Sequence, residues 1–273
     1  MPLAILSLPL TRVLLAMAVT LTVLLTPRPS TATPTLNVAV AANFLAPAME
    51  IAKRFEDQTG TEVTISSGST GKFYAQIRHG APFDVFLAAD RLSINELIEQ
   101  GFAVASDHFT YAVGQLALWS PDPARLADQE TAIALLEDAQ FDRLAMANPL
   151  VAPYGAAAQD VLTHLGLRSA WQNKRIQGQS IGQAYQFVAS GNADLGFVAL
   201  SQIIQTTESM HTSGNDRQIR GSAWLPPQSW YRPLNQDAAR LTESKNPEQA
   251  KAFLRFLRSP TAKTIMARYG YPQ

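Results

Sequence analysis

Short runs of apolar and small residues, each ending in a turn of small hydrogen-bond donors and followed by an amphipathic stretch, recur along most of this chain. That alternation limits the folds open to it. Residues 36–42 (Leu-Asn-Val-Ala-Val-Ala-Ala) read as a buried strand. From Asn43 to about Thr59, Ala48, Ile51, Ala52 and Phe55 share one face at helical spacing, and Gly60 closes the helix. A second strand over 61–66 runs through the turn Ser67-Gly68-Ser69-Thr70-Gly71 into a helix carrying Phe73 and Ile77. A third strand spans 84–89, followed by a helix over about 93–99. Residues 109–119 read as one long strand, after which the alternation starts again. The second set comprises a strand at 144–147, a helix opened by Ala152-Pro153-Tyr154-Gly155, a strand at 175–178, a helix opened by Ser180-Ile181-Gly182, and a strand at 195–200. Residues 208–220 read as a polar loop, 234–241 as a segment crossing back, and Asn246-Pro247-Glu248 as the start of a late helix.

Strands alternating with helices build parallel, doubly wound sheets. Two such sets joined by a long strand predict an α/β protein of two lobes with a cleft between two doubly wound sheets. The expected lobes are residues 33–115 with 237–273, and residues 116–236.

The N-terminus reads as an address. Arg12 precedes the run Val13 to Leu25, which is apolar but for Thr20 and Thr22, and Pro27-Arg28-Pro29 breaks it. Ser30 and Ala32 fit the small-x-small cleavage rule, which predicts a signal peptide over residues 1–32. The run falls short of the ~20 apolar residues that a spanning helix needs. A lipid-anchored exported protein needs a Cys at its new N-terminus, and the chain has no Cys. The expectation is a protein exported in soluble form to a Gram-negative periplasm.

Composition removes several functions. Lys and Arg total 22 against 22 Asp and Glu, which lacks the basic excess of a nucleic-acid binder. The absence of Cys excludes thiolate zinc sites, cysteine catalysis and cysteine-ligated clusters. Four scattered His (His79, His108, His164, His211) form no H-x-x-x-H pair, so no direct metal-ion ligands and no cofactor are expected.

The helix starts carry the chemistry. Four of them, near Asn43, Ser69-Thr70, Tyr154-Gly155 and Ser180-Ile181, follow strands, at the end of the sheet where ligands bind in doubly wound folds. A helix N-terminus offers unpaired N–H groups and roughly half a unit of positive charge. Two facing lobes bring four such ends to one point. No acid stands at these turns and Lys72 is the nearby cation. Donors without acceptors favour an oxyanion that carries no proton at neutral pH, such as molybdate, tungstate or sulfate; hydrogen phosphate needs an acceptor for its O–H. Taken singly, Asn43, Ser69 and Ser180 are also ordinary N-cap residues.

Other signals fall short of catalysis. Gly68-Ser69-Thr70-Gly71-Lys72 has Ser66 and Phe73 where a phosphate-binding loop needs Gly and Ser or Thr. A serine hydrolase built on Ser69 lacks the first Gly of the nucleophile elbow, because Ser67 stands there. His79 and His164 each stand next to a helix-ending Gly or Leu-Gly and read as C-terminal caps, and Asp84, Asp90 and Asp194 as turn formers. Trp224, Trp230 and Tyr231 read as a packing cluster.

In order along the chain stand Ala41-Ala42-Asn43-Phe44, Ser66-Ser67-Gly68-Ser69-Thr70-Gly71, Gly80-Ala81-Pro82-Phe83-Asp84-Val85-Phe86, Asn148-Pro149 with Ala152-Pro153-Tyr154-Gly155, and Ala193-Asp194-Leu195-Gly196-Phe197-Val198. This set resembles the periplasmic molybdate-binding proteins of molybdate ABC transporters over nearly all of residues 36–273. The resemblance implies a type II periplasmic-binding-protein fold that holds molybdate or tungstate between its lobes. It also implies delivery to an inner-membrane permease with its ATPase, as a monomer and not an enzyme. Residue by residue, it puts the oxyanion ligands at Ala42, Asn43 and Thr70 in the first lobe, with Ser69 adjacent, and at Tyr154 and Ile181 in the second. Many members carry Ser where this chain has Asn43 and Thr70, and some carry a Tyr where it has Ala199. Sulfate or another oxyanion is the rival ligand.

Overall fold

The computed structural model describes residues 35–167, 171–204 and 218–272. The signal-peptide reading of residues 1–32 and most of the loop read at 208–220 lie outside them, as does His211.

Two five-stranded sheets organise the molecule. The first half opens with β1 (Thr35–Ala41), a single 3-10 turn (Ala42–Phe44) and α1 (Leu45–Thr59). It continues with β2 (Glu62–Gly68), α2 (Thr70–Arg78), β3 (Val85–Leu87), α3 (Leu92–Glu99) and β4 (Ala103–Gly114). The second half comprises β5 (Leu116–Ser120), α4 (Gln129–Glu137), β6 (Leu144–Ala147), α5 (Pro153–His164) and β7 (Arg175–Gly178). After these come α6 (Ile181–Ala189), β8 (Leu195–Ala199), α7 (Leu200–Ile203) and β9 (Ser222–Trp224). The chain then returns through β10 (Leu234–Leu241) to α8 (Pro247–Leu257) and α9 (Pro260–Arg268).

The strand orders are β2-β1-β3-β10-β4 and β7-β6-β8-β5-β9. Each sheet has a parallel core of three strands, and in each the fourth strand runs antiparallel. The sheets are therefore mixed, where strand–helix alternation alone predicts parallel ones. The long strand read over 109–119 is two strands. β4 ends at Gly114 and pairs with β10 in the first sheet, whereas β5 begins at Leu116 and pairs with β8 and β9 in the second. Gln115 is the crossing point. The return crossing lies before Leu234, and β10 stays in the first sheet along its length, with Leu234 opposite Gly114. The two crossings thus lie side by side.

Burial follows the periodicities. Ala48, Ile51, Ala52 and Phe55 of α1 are buried, and Ile51 and Phe55 pack with Phe253, Leu254 and Leu257 of α8. In the second half Ala157, Ala158 and Val161 of α5 pack with Leu144 and Met146 of β6. Four elements go beyond the sequence reading: α4, capped by the Asp128 carboxylate accepting from Thr131 N; the short α7, which begins at Leu200 where the strand is expected to end; α9, capped by the Ser259 hydroxyl accepting from Ala262 N; and β9. Among the described residues no helix is long and apolar enough to cross a membrane.

Candidate functional site

Corresponding strands of the two sheets end in corresponding turns. In the first sheet, β1 runs into the 3-10 turn and β2 into α2; in the second, β6 leads to α5 and β7 to α6. In each sheet the order 2-1-3 puts the topological switch point beside the central strand, and ligands bind outside the carboxyl ends of strands there. Ala42, Asn43, Ser69, Thr70, Tyr154 and Ile181 line one cavity at that place, together with Gly68, Ala89 and Pro153. The cavity encloses about 10 Å3, room for about one water molecule. No charged residue lines it.

The two halves meet across the cavity. Gly71 N donates to Val151 O at 2.9 Å, so the start of α2 is tied to the turn before α5. A Cβ at Gly71 would stand 3.0 Å from the Val151 backbone, which is why glycine suits this contact. Ser201 Oγ donates to Asn43 O at 2.8 Å, joining the start of α7 to the 3-10 turn.

The donors differ in kind. Thr70 is buried, and its Oγ1 accepts from Ala89 N at 3.0 Å, which occupies an acceptor position and leaves the hydroxyl proton free for the cavity. Ser69 is the N-cap of α2, yet its side chain makes no capping bond, so this hydroxyl too is uncommitted. Ser180 behaves otherwise: its Oγ caps α6 by accepting from Gln183 N at 3.2 Å, and it does not line the cavity. For Ser180 the ordinary N-cap reading holds. Tyr154 and Ile181 fall in the first turns of α5 and α6, where backbone N–H groups have no helical acceptor.

Behind the cavity lies a buried polar cluster that the sequence did not reveal. Asn43 Nδ2 donates to Gln236 Oε1 at 2.9 Å and to Tyr271 Oη at 3.1 Å, while Asn43 Oδ1 is buried without a partner. Tyr111 Oη donates to Gln236 Oε1 at 3.0 Å, and Gln236 Nε2 donates to Tyr154 Oη at 3.2 Å. The Tyr154 hydroxyl therefore meets Gln236 of the first sheet, and the part of Tyr154 left for a ligand is its backbone N–H. Burial raises the Tyr111, Tyr154 and Tyr271 phenols, the last to about 12, so all three are neutral proton carriers at physiological pH. One signal was available for Gln236: Gln236-Asp237 interrupts an otherwise strand-like run, and adjacent polar residues inside a strand demand partners. Tyr271, followed by Pro272 and Gln273, carries no such signal.

The remaining titratable groups serve elsewhere. His108 Nε2 lies 2.5 Å from Asp237 Oδ2, and His164 stacks on Trp230 at 4.4 Å between ring centroids, where the sequence suggested a helix cap. Asp84 accepts from Asn37 N, Ser244 Oγ and Asn246 N; Asp90 accepts from Ser93 N. Trp224 packs on Trp230 edge to face. None of these His side chains lines the cavity that holds Ser69. Among the described residues no group of three or more His, Asp and Glu is arranged to hold a metal ion. A larger cavity, about 410 Å3, shares no lining residue with the one that holds Ser69 and lies between Met146, Pro149, Leu162, Trp171 and Arg175.

Two α/β sheets, joined by two adjacent crossings and turning their helix starts toward one uncharged cavity, define the two-lobed periplasmic-binding-protein fold. Residues 36–272 match the family model described as bacterial extracellular solute-binding protein, and the chain belongs to that family. It is 48% identical over 236 residues to the molybdate-binding protein ModA of Azotobacter vinelandii, covering 86% of this chain and 89% of the relative. It is 45% identical over 233 residues to the molybdate-binding protein ModA of Rhodobacter capsulatus, covering 85% and 86%. Among solved structures, the Azotobacter vinelandii periplasmic molybdate-binding protein superposes with a TM-score of 0.80 at 42% identity, covering 87% of this chain and all of that one.

Proposed function

We propose that this protein captures molybdate, and tungstate with it, between its two lobes and hands the ion to an inner-membrane ABC permease driven by a cytoplasmic ATPase. The observation that carries this reading is the convergence of helix starts from both sheets on one cavity with no charged side chain. The chemistry offered there is hydroxyl and N–H donation, matched to a fully ionised tetrahedral dianion. Similarity to two molybdate-binding proteins at 45% identity or above favours molybdate over sulfate. In this reading Ala42, Asn43, Ser69, Thr70, Tyr154 and Ile181 hold the oxyanion, with no metal ion bound directly and no cofactor.

The proposed lobes are residues 33–115 with 234–273, and residues 116–233; β10 belongs to the first sheet from Leu234, which moves the expected boundary back from 237. They hinge at Gln115 and at the return crossing beside it. A five-atom ion is larger than the present cavity, so it enters as the lobes part, and it favours closure because it touches donors on both. The protein acts as a soluble periplasmic monomer released by cleavage after Ala32, without enzymatic activity. A mature N-terminus at Thr33, found by mass spectrometry of the exported protein, supports the address; retention of residues 13–25 refutes it.

Thermal-shift titration with molybdate, tungstate, sulfate and phosphate tests the function. Molybdate and tungstate raise Tm together, sulfate less, and phosphate not at all. Equal stabilisation by phosphate refutes a donor-only site.

A further inference from the structure

The buried cluster behind the cavity contains two amides whose orientation decides what the ligand meets. Gln236 is fully buried and Asn43 nearly so, at 2% exposure. With Asn43 Nδ2 turned to Gln236, one buried acceptor is left unsatisfied. Asn43 Oδ1 is buried without a partner, while the Tyr154 hydroxyl accepts from Gln236 Nε2. An unpartnered acceptor on a cavity-lining residue also repels a dianion.

Turning both amides over about their terminal torsions keeps every heavy-atom position and puts a donor where the orphan acceptor stood, a group that an oxyanion in the cavity can satisfy. Gln236 Nε2 then donates to Asn43 Oδ1 across the 2.9 Å separation and to Tyr111 Oη across 3.0 Å. Tyr111 passes its own proton to Ala88 O at 3.2 Å. Gln236 Oε1 accepts the Tyr154 hydroxyl proton across 3.2 Å. Tyr271 Oη, 3.1 Å from the inner amide atom of Asn43, donates to Oδ1, and Ser201 Oγ continues to donate to Asn43 O. The position that was an orphan oxygen becomes Asn43 Nδ2, a donor on a residue that lines the cavity.

We propose that Gln236 is a positioning residue: its amide, nitrogen toward Asn43 and oxygen toward Tyr154, holds Asn43 with its N–H facing the oxyanion and so keeps the cavity free of acceptors. The Tyr154 hydroxyl, a second-lobe group with no ligand contact, sets the Gln236 orientation from across the cleft. Gly114 makes room for this meeting, since a Cβ there would collide with both Tyr154 Oη and Gln236 Nε2. The proposal deepens the molybdate reading and rests on it for the ligand, but the amide orientation itself is measurable without one.

In the unliganded wild type, nuclear Overhauser contacts of the Gln236 side-chain N–H protons report the orientation directly. Contacts to the Tyr111 ring are expected; contacts instead to the Tyr154 ring and Gly114 Hα overturn the proposal. Calorimetric titration with molybdate then reads the consequence. Wild-type binding tests the function, and the sign of the Asn43→Ala effect tests the amide. Loss of a donor to a charged partner lowers affinity roughly ten- to a hundredfold. Unchanged or improved affinity means that an acceptor faced the ion, and the proposal fails. Gln236→Met lowers affinity roughly tenfold in the parent and has little further effect on Asn43→Ala, because it acts through that residue. Equal losses in both backgrounds overturn the positioning role.

Discussion

The two halves of the site solve one problem differently. The first-sheet half presents mainly side chains, with Ala42 offering only its backbone: Thr70 with its acceptor position occupied by Ala89 N, Ser69 with an uncommitted hydroxyl, and Asn43 backed by Gln236 and Tyr271. The second-sheet half presents main chain: the first-turn N–H groups of Tyr154 in α5 and Ile181 in α6. Side-chain donors such as Thr70 and Asn43 need further residues to hold them, and these come from the turn after β3, from β4 and β10, and from the C-terminal segment. Main-chain donors are aimed by the helix itself, so their side chains are free for other tasks. Ile181 packs in the second core, and the Tyr154 hydroxyl reaches Gln236.

Thr70→Val should cost most, because it strikes the side-chain half twice. It removes a donor to the ion and leaves the buried Ala89 N–H without an acceptor. Affinity should fall roughly ten- to a hundredfold, and unfolding free energy should drop by about 1–3 kcal/mol. Thr70→Ser, which keeps the hydroxyl, should retain most of both. Titration calorimetry and denaturant unfolding read the two effects, and a fully active Thr70→Val would remove this side chain from the ligand set.

Ile181→Pro tests the main-chain half. Pro is favoured at the first helical position, and the preceding Ser180 is already extended, at φ −145° and ψ 167°. The substitution therefore deletes the N–H with little disturbance to α6. Molybdate affinity should fall about tenfold. Ile181→Val, which alters only the side chain, should bind as the parent does. If Val weakens binding as much as Pro, the contrast between the halves collapses.

A weaker effect is expected where the halves touch. Gly71→Ala adds a methyl 3.0 Å from the Val151 backbone, so one side must give by a few tenths of an ångström on closure. Affinity should drop a fewfold. The same change sits inside α2, where Ala is favoured over Gly by about 1 kcal/mol, so the unliganded protein should become more stable. Opposite signs in calorimetry and thermal unfolding are the signature.

The two halves were not equally legible in the sequence. Helix starts betray themselves locally, as small polar residues after a short apolar run, and all four such turns were visible. What lies behind them depends on chain segments far apart in sequence: Gln236 is 193 residues from Asn43, and Tyr271 is 228. No local pattern encodes those meetings. The crossing at Gln115 was hidden for a related reason. Residues on either side are continuously strand-forming, and only pairing partners reveal that Gly114 and Leu116 belong to different sheets. Pairing direction is equally silent: nothing local marks β10 as the antiparallel neighbour of β3, or β5 as that of β8. The starts of α4 and α9, by contrast, carry local caps in Asp128 and in Ser259-Pro260.

The smallest expected effect is that of pH, and its smallness follows from the same comparison. Main-chain N–H groups and hydroxyls do not titrate near neutrality, and the phenols behind the side-chain half are held protonated by burial. Tyr271 is pushed up to about 12, with Tyr111 and Tyr154 also raised. A phenol raised in the folded state keeps its proton where the unfolded chain has lost it. Its stabilisation is complete below the unfolded value near 10 and is lost as pH climbs from there through the folded value. Molybdate affinity should therefore be flat between about pH 6 and 9, the range in which no group at the site changes charge. Unfolding free energy should decline above about pH 10. Tyr271→Phe should make that alkaline decline shallower while leaving the neutral plateau of affinity flat. An affinity that changes tenfold across the neutral range would mean that a titrating acceptor faces the ion, contrary to an uncharged, donor-only cavity.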